Sequence, residues 1–140
     1  MSLENIAIKV ESADAYSVGN VQALLAEIAT LLDKLLQHGE AGVIDLKSMP
    51  FAPGEYEQLR QALGQGELTA QLDAIGTSEI VETRFPGVWW LTHYNVEGEI
   101  VADVIEVTFL PEILRSQPED MRDGLEHLRE MLYDSTRHDD

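Results

Sequence analysis

The chain has 140 residues, 44% hydrophobic and 25% charged, enough for one folded domain with a substantial core. Its 26 acidic residues against 9 basic ones set a net charge of −17, which repels nucleic-acid phosphates and anionic lipid headgroups and sets both aside as expected partners. There is no cysteine, so disulfides, thiol catalysis and thiolate-held iron–sulfur clusters are excluded within it.

The opening residues, MSLENIAIKVES, have neither a basic start nor a long apolar run, and no later apolar run is long enough to span a bilayer. A cytoplasmic location is therefore expected, with no membrane association. Residues 5–10 (NIAIKV) alternate weakly and read as a short strand or arm within residues 1–16. A helix follows, because Val21, Leu24, Leu25, Ile28, Leu31, Leu32, Leu35 and Leu36 recur at three- and four-residue spacing. Ser17 or Asn20 can cap its start, and Gly39 suits the position after its end.

GVIDL (42–46) reads as a short strand. A second helix is expected from Pro53, with Glu55 and Glu57 at the positive end of its dipole, Gly64 as its terminator, and Tyr56, Leu59 and Leu63 facing inward. In ELTAQLD (67–73) Leu68, Ala70 and Leu72 alternate with polar residues, the pattern of a half-buried strand. SEIVETR (78–84) follows the Gly76 turn as another strand, and Pro86–Gly87 separate it from VWWLTHY (88–94).

Asn95-Val96-Glu97-Gly98 carries Asn first and Gly fourth, which predicts a type I turn with Gly98 left-handed, returning into EIVADVIEV (99–107). Pro111 and Pro118 punctuate a helical turn and a last helix striped by Met121, Leu125, Leu128 and Leu132, with residues 135–140 fraying. The order predicts a single α+β domain over 1–140, a mainly antiparallel sheet of about four to five strands with helices packed on one face.

Chemistry is sparse. The four histidines, His38, His93, His127 and His138, show no close metal-ligand spacing, and no nucleophile elbow or phosphate-binding loop is present. The reading is therefore a non-enzyme with no cofactor and no metal; a metal or catalytic site built from His93, Asp103 and nearby carboxylates is the lesser alternative.

The adjacent Trp89 and Trp90 must point to opposite sides of a strand. Counting outward from Asn95 opposite Glu99 puts Trp89, Leu91 and His93 with Asp103, Ile105 and Val107, expected to be the helix-covered core. Trp90, Thr92, Tyr94 and Glu106 then share the other face, which with Glu97 and Glu99 forms the expected partner-binding patch; the alternative is that another helix or the N-terminal arm of the same chain covers Trp90. A one-residue slip would exchange these companions.

Three segments, IDLKSMPFAPGEYEQLRQALGQGELTA, SEIVETRFPGVWWLTHYN and IEVTFLPEILRSQPEDM, carry a resemblance. With the leucine-rich helix before them, they resemble the HupH/HyaF family of hydrogenase expression/formation proteins over roughly residues 25–132. The resemblance implies an accessory or chaperone role in maturing the iron–sulfur small subunit of a nickel–iron uptake hydrogenase. The implied partners are the small-subunit precursor with its twin-arginine signal peptide and other maturation proteins. Longer members look like two tandem copies of this unit, which suggests a homodimer here. A structural dimerisation module within a maturation complex is the alternative.

Overall fold

The structure, a computed structural model, describes the backbone of residues 12–139 and the side chains of residues 20–136. The predicted strand or arm over residues 5–10 lies outside them. The chain divides after Phe109 into two compact units.

In the first unit the elements are α1 (Ser12–His38), β1 (Gly42–Asp45), α2 (Glu55–Leu63), β2 (Thr69–Ala74), β3 (Gly76–Glu82), β4 (Val88–Tyr94) and β5 (Ile100–Val107). The strands form one antiparallel sheet in the order β1-β5-β4-β3-β2. Strands β2 to β5 follow one another as a meander, whereas β1 and β2 are the two edges. The connection through α2 must therefore cross the sheet. Leu59 and Leu63 of α2 and Val21, Leu24, Ile28 and Leu35 of α1 meet Ile44, Val88, Trp90, Ile105 and Val107 of the sheet in one buried cluster. The α+β expectation, with helices packed on a sheet face, is met by this unit.

Two local expectations shift. Helix α1 already begins at Ser12, so Ser17 and Asn20 lie within it; nothing between them breaks a helix as proline would. Helix α2 begins at Glu55, two residues after Pro53, because Gly54 at its N-cap takes a left-handed conformation (φ 87°). Gly64 closes it as expected, its N–H donating to Arg60 O.

The β2–β3 turn has Ile75 at its tip, 94% exposed, and Gly76 at φ 84°. A Cβ on residue 76 would stand 2.1 Å from Tyr94 O, whereas one on Gly98, also left-handed, meets nothing within 4 Å. Gly98→Ala should therefore cost only the backbone strain of about 1–2 kcal/mol. Gly76→Ala should cost clearly more, since strand β4 must also move. Urea denaturation of the two variants side by side checks the ranking, and equal losses would refute it.

The β4–β5 hairpin explains the placement of the tryptophans. Its turn is as predicted: Asn95 N–H donates to Glu99 O (2.9 Å), Gly98 N–H to Asn95 O (3.0 Å), and Gly98 has φ 83°. Beyond it Tyr94 pairs with Ile100, but His93 pairs with Ala102, so Val101 is an extra residue in a bulge. The bulge moves every later pair by one place. Trp90 thus faces Ile105 and Thr92 faces Asp103, correcting the expected arrangement. Trp90 belongs to the helix-covered core, and Trp89 lies on the opposite face beside Glu106. The gain is physical: Ile105, Val107, Val88 and Trp90 all enter one core.

The second unit holds a short 3₁₀ turn (Glu112–Leu114) after the buried Pro111, and α3 (Pro118–Asp139). Helix α3 continues through residues 135–139, where the sequence suggests fraying. No helix among the described residues is long and apolar enough to cross a membrane.

Candidate functional site

The centre of the first unit's polar chemistry is Asp103 on β5, only 3% exposed on the helix-covered face. Its Oδ1 accepts from Trp90 Nε1–H (2.7 Å) and Thr92 Oγ1–H (2.9 Å), and its Oδ2 accepts from the Tyr56 hydroxyl (2.6 Å). The backbone carbonyl of Asp103 also accepts from Leu46 N–H, which extends β1 along β5. A buried carboxylate is tolerated only with such partners. Above it, Tyr56 meets the Trp90 ring edge-on at 5.4 Å, and the Arg60 guanidinium sits 4.4 Å from the Trp90 ring centroid. Trp90 is therefore covered by helix α2 of its own chain.

Burial, followed by the hydrogen bond to Asp103, raises the Tyr56 phenol above its ordinary pKa of 10.0. The folded value exceeds the unfolded one, so this contribution to stability is complete below about pH 10 and disappears as pH rises through the folded value. Stability should fall with alkaline pH, and Tyr56→Phe should remove that component of the slope. Chemical denaturation at stepped alkaline pH, with tyrosinate absorbance followed in parallel, checks this; an unchanged slope in Tyr56→Phe would contradict it.

The six expected partner-contact residues do not form one surface. Trp90 and Thr92 are buried in the Asp103 network, and Tyr94 is half-buried. Glu106 lies on the opposite sheet face, across from Trp89. Glu97 and Glu99 are exposed at the hairpin end, where Asn95 Oδ1 accepts from both their backbone N–H groups (2.9 Å each). The side chains of Glu97 and Glu99 are thus held on an ordered turn.

His93 does not join Asp103, since the bulge leaves the two on opposite faces. Its Nδ1 lies 2.6 Å from Ser78 Oγ across β3–β4. Among the described residues no group of three or more histidines and carboxylates is arranged to hold a metal ion.

Sequence reasoning places Tyr56 inward and offers Asp103 only as a companion of His93; it misses Arg60 altogether and misses that Tyr56 and Asp103 meet around Trp90. A usable signal existed for Asp103: a buried indole N–H needs an acceptor, and of the two carboxylates on the paired strand, Asp103 and Glu106, the bulged register puts Asp103 on the face of Trp90.

Residues 18–134 match the family described as HupH hydrogenase expression protein, C-terminal conserved region. The chain belongs to this family. A solved structure, hydrogenase expression protein HupH from Thiobacillus denitrificans, is 43% identical with a TM-score of 0.80, covering 83% of this chain and 97% of that one. Among curated relatives, the hydrogenase expression/formation protein HupH of Rhodobacter capsulatus is 35% identical over 117 residues, which are 82% of this chain and 42% of that protein. The hydrogenase expression/formation protein HoxQ of Azotobacter vinelandii is 30% identical over 109 residues, 74% of this chain and 38% of that protein. This HupH-family chain therefore spans about two fifths of the length of the curated relatives it matches.

Proposed function

We propose that this chain is a cytoplasmic accessory protein of nickel–iron hydrogenase maturation that binds an immature small subunit at its signal-peptide region and is not a catalyst. The observation that carries the reading is the family match over residues 18–134, with relatives named for hydrogenase expression and formation. The net charge of −17 supports a cationic client, with charge acting mainly on steering and specificity. Glu97, Glu99 and the adjacent Tyr94 are the contact residues of this reading, while Trp90 and Thr92 position the strand from within.

Salt-sensitive binding to the precursor is expected. The double reversal Glu97→Lys/Glu99→Lys should slow association on the order of tenfold at low ionic strength, with dissociation little changed. Surface-immobilised precursor and mature small subunits provide the measurement, and binding to neither would remove the proposal.

Helix α3 favours a second reading, self-association. Met121, Leu125, Leu128 and Leu132 repeat at 4-3-4 spacing and are 46–67% exposed. Two such stripes can pair as a short coiled-coil seam between copies. Light scattering should then show a dimer that Leu125→Glu/Leu128→Glu converts to a monomer; a wild-type monomer at high concentration would eliminate it.

A further inference from the structure

A cleft of about 210 Å³ opens in the first unit between α1 and the segment leading into α2. Asn20, Ala23, Leu24 and Glu27 of α1 line one side, and Met49, Pro50, Phe51 and Glu55 the other. Its lining combines apolar walls with two carboxylates. Glu27 is exposed, whereas Glu55 is 0% exposed.

Glu55 is the anomaly. Its Oε1 accepts from Ala52 N–H, which ties the loop to the first turn of α2. Its Oε2 is buried with no hydrogen-bond partner, alone among the buried side-chain polar atoms of the described residues. Leaving a buried carboxylate oxygen unpaired is costly, and native proteins seldom do so without a use for it. The Asp103 carboxylate nearby in the fold shows the usual arrangement, with both oxygens engaged.

We infer that this cleft is a receptor for one long basic side chain, arginine or lysine, of a bound polypeptide. The volume is below the roughly 300–1,000 Å³ of small-molecule pockets and suits a single side chain. An aliphatic stem lies along Leu24, Met49 and Phe51, and its cationic head reaches Glu55 Oε2, with Glu27 attracting it at the mouth. Met49 and Phe51 are only half-buried, and the unbranched thioether of Met49 can swing to admit the head. The net charge of −17 concentrates cations around the whole molecule, and the cleft supplies the specific position. The inference does not depend on which polypeptide the chain serves.

The test uses the full chain, uniformly labelled for NMR, titrated with N-acetyl-arginine amide, N-acetyl-lysine amide and, as the uncharged stem, N-acetyl-norleucine amide. Saturable shifts are expected at the amides of Ala23, Leu24, Glu27, Met49, Phe51 and Glu55 with a basic probe, in the range of roughly 1–10 mM, and not with norleucine. Glu55→Gln, nearly isosteric and still able to accept from Ala52, should weaken this binding about tenfold or more. Ala23→Leu, on an exposed helix position, should block it without touching the carboxylate, so the result does not hang on the folding of Glu55→Gln. Equal shifts with all three probes, shifts spread over the acidic surface, or unchanged binding in either variant would overturn the assignment.

Discussion

Asp103→Ala is expected to destabilise the chain by about 2–5 kcal/mol, seen as a lower urea midpoint with an unchanged slope. The carboxylate is the shared acceptor for Trp90, Thr92 and Tyr56, so its removal leaves the first two donors buried without a partner. Tyr56 is half-buried and can turn its hydroxyl to water. That asymmetry makes Asp103→Asn the informative control. An amide oxygen still accepts from Trp90 and Thr92, and its NH₂ group can donate to a Tyr56 hydroxyl turned to accept. Its loss should therefore stay below about 1.5 kcal/mol, within the modest net value of one hydrogen bond. Against a typical total of about 5–15 kcal/mol, the alanine variant alone would threaten folding at elevated temperature. An alanine variant within experimental error of wild type would show that the network contributes little.

The periodic parts of this fold were readable because one physical pattern dominates each. Leu59 and Leu63 lie inward on α2, and Ile105 and Val107 lie inward on β5, as spacing and alternation indicate. The turn chemistry of Asn95 and Gly98 was equally legible, since few residue types satisfy that backbone. The bulge at Val101 was not, because both faces of β4 are apolar and alternation there cannot choose a register. Ile80, Trp89 and Leu91 are buried on one face and Val88 and Trp90 on the other. The Asp103 network depends on that register and on α2 crossing the sheet, a long-range placement no local signal announces. Family cues, by contrast, depend on residue identity in order rather than register, so the family was legible while the surface was misplaced.

Trp90 gives the sharpest test of the corrected register. Trp90→Ala removes a core ring and should cost about 3–5 kcal/mol. Any loss of binding to the proposed client in that variant would then report unfolding, not a missing contact. Trp90→Phe separates the two effects. It keeps an aromatic ring under Tyr56 and Arg60 but deletes the indole N–H that Asp103 Oδ1 accepts. Thr92 still donates to that oxygen, so the expected loss is about 1–2 kcal/mol from one hydrogen bond and a smaller ring. Combined with Asp103→Asn, the two losses should fall short of their sum, because each removes part of the same interaction. Client affinity in Trp90→Phe should match wild type under conditions where both are folded, since an interior residue reaches a partner only through the strand it holds. A variant equally stable yet defective in binding would put Trp90 back on the contact surface and overturn the interior placement of its role.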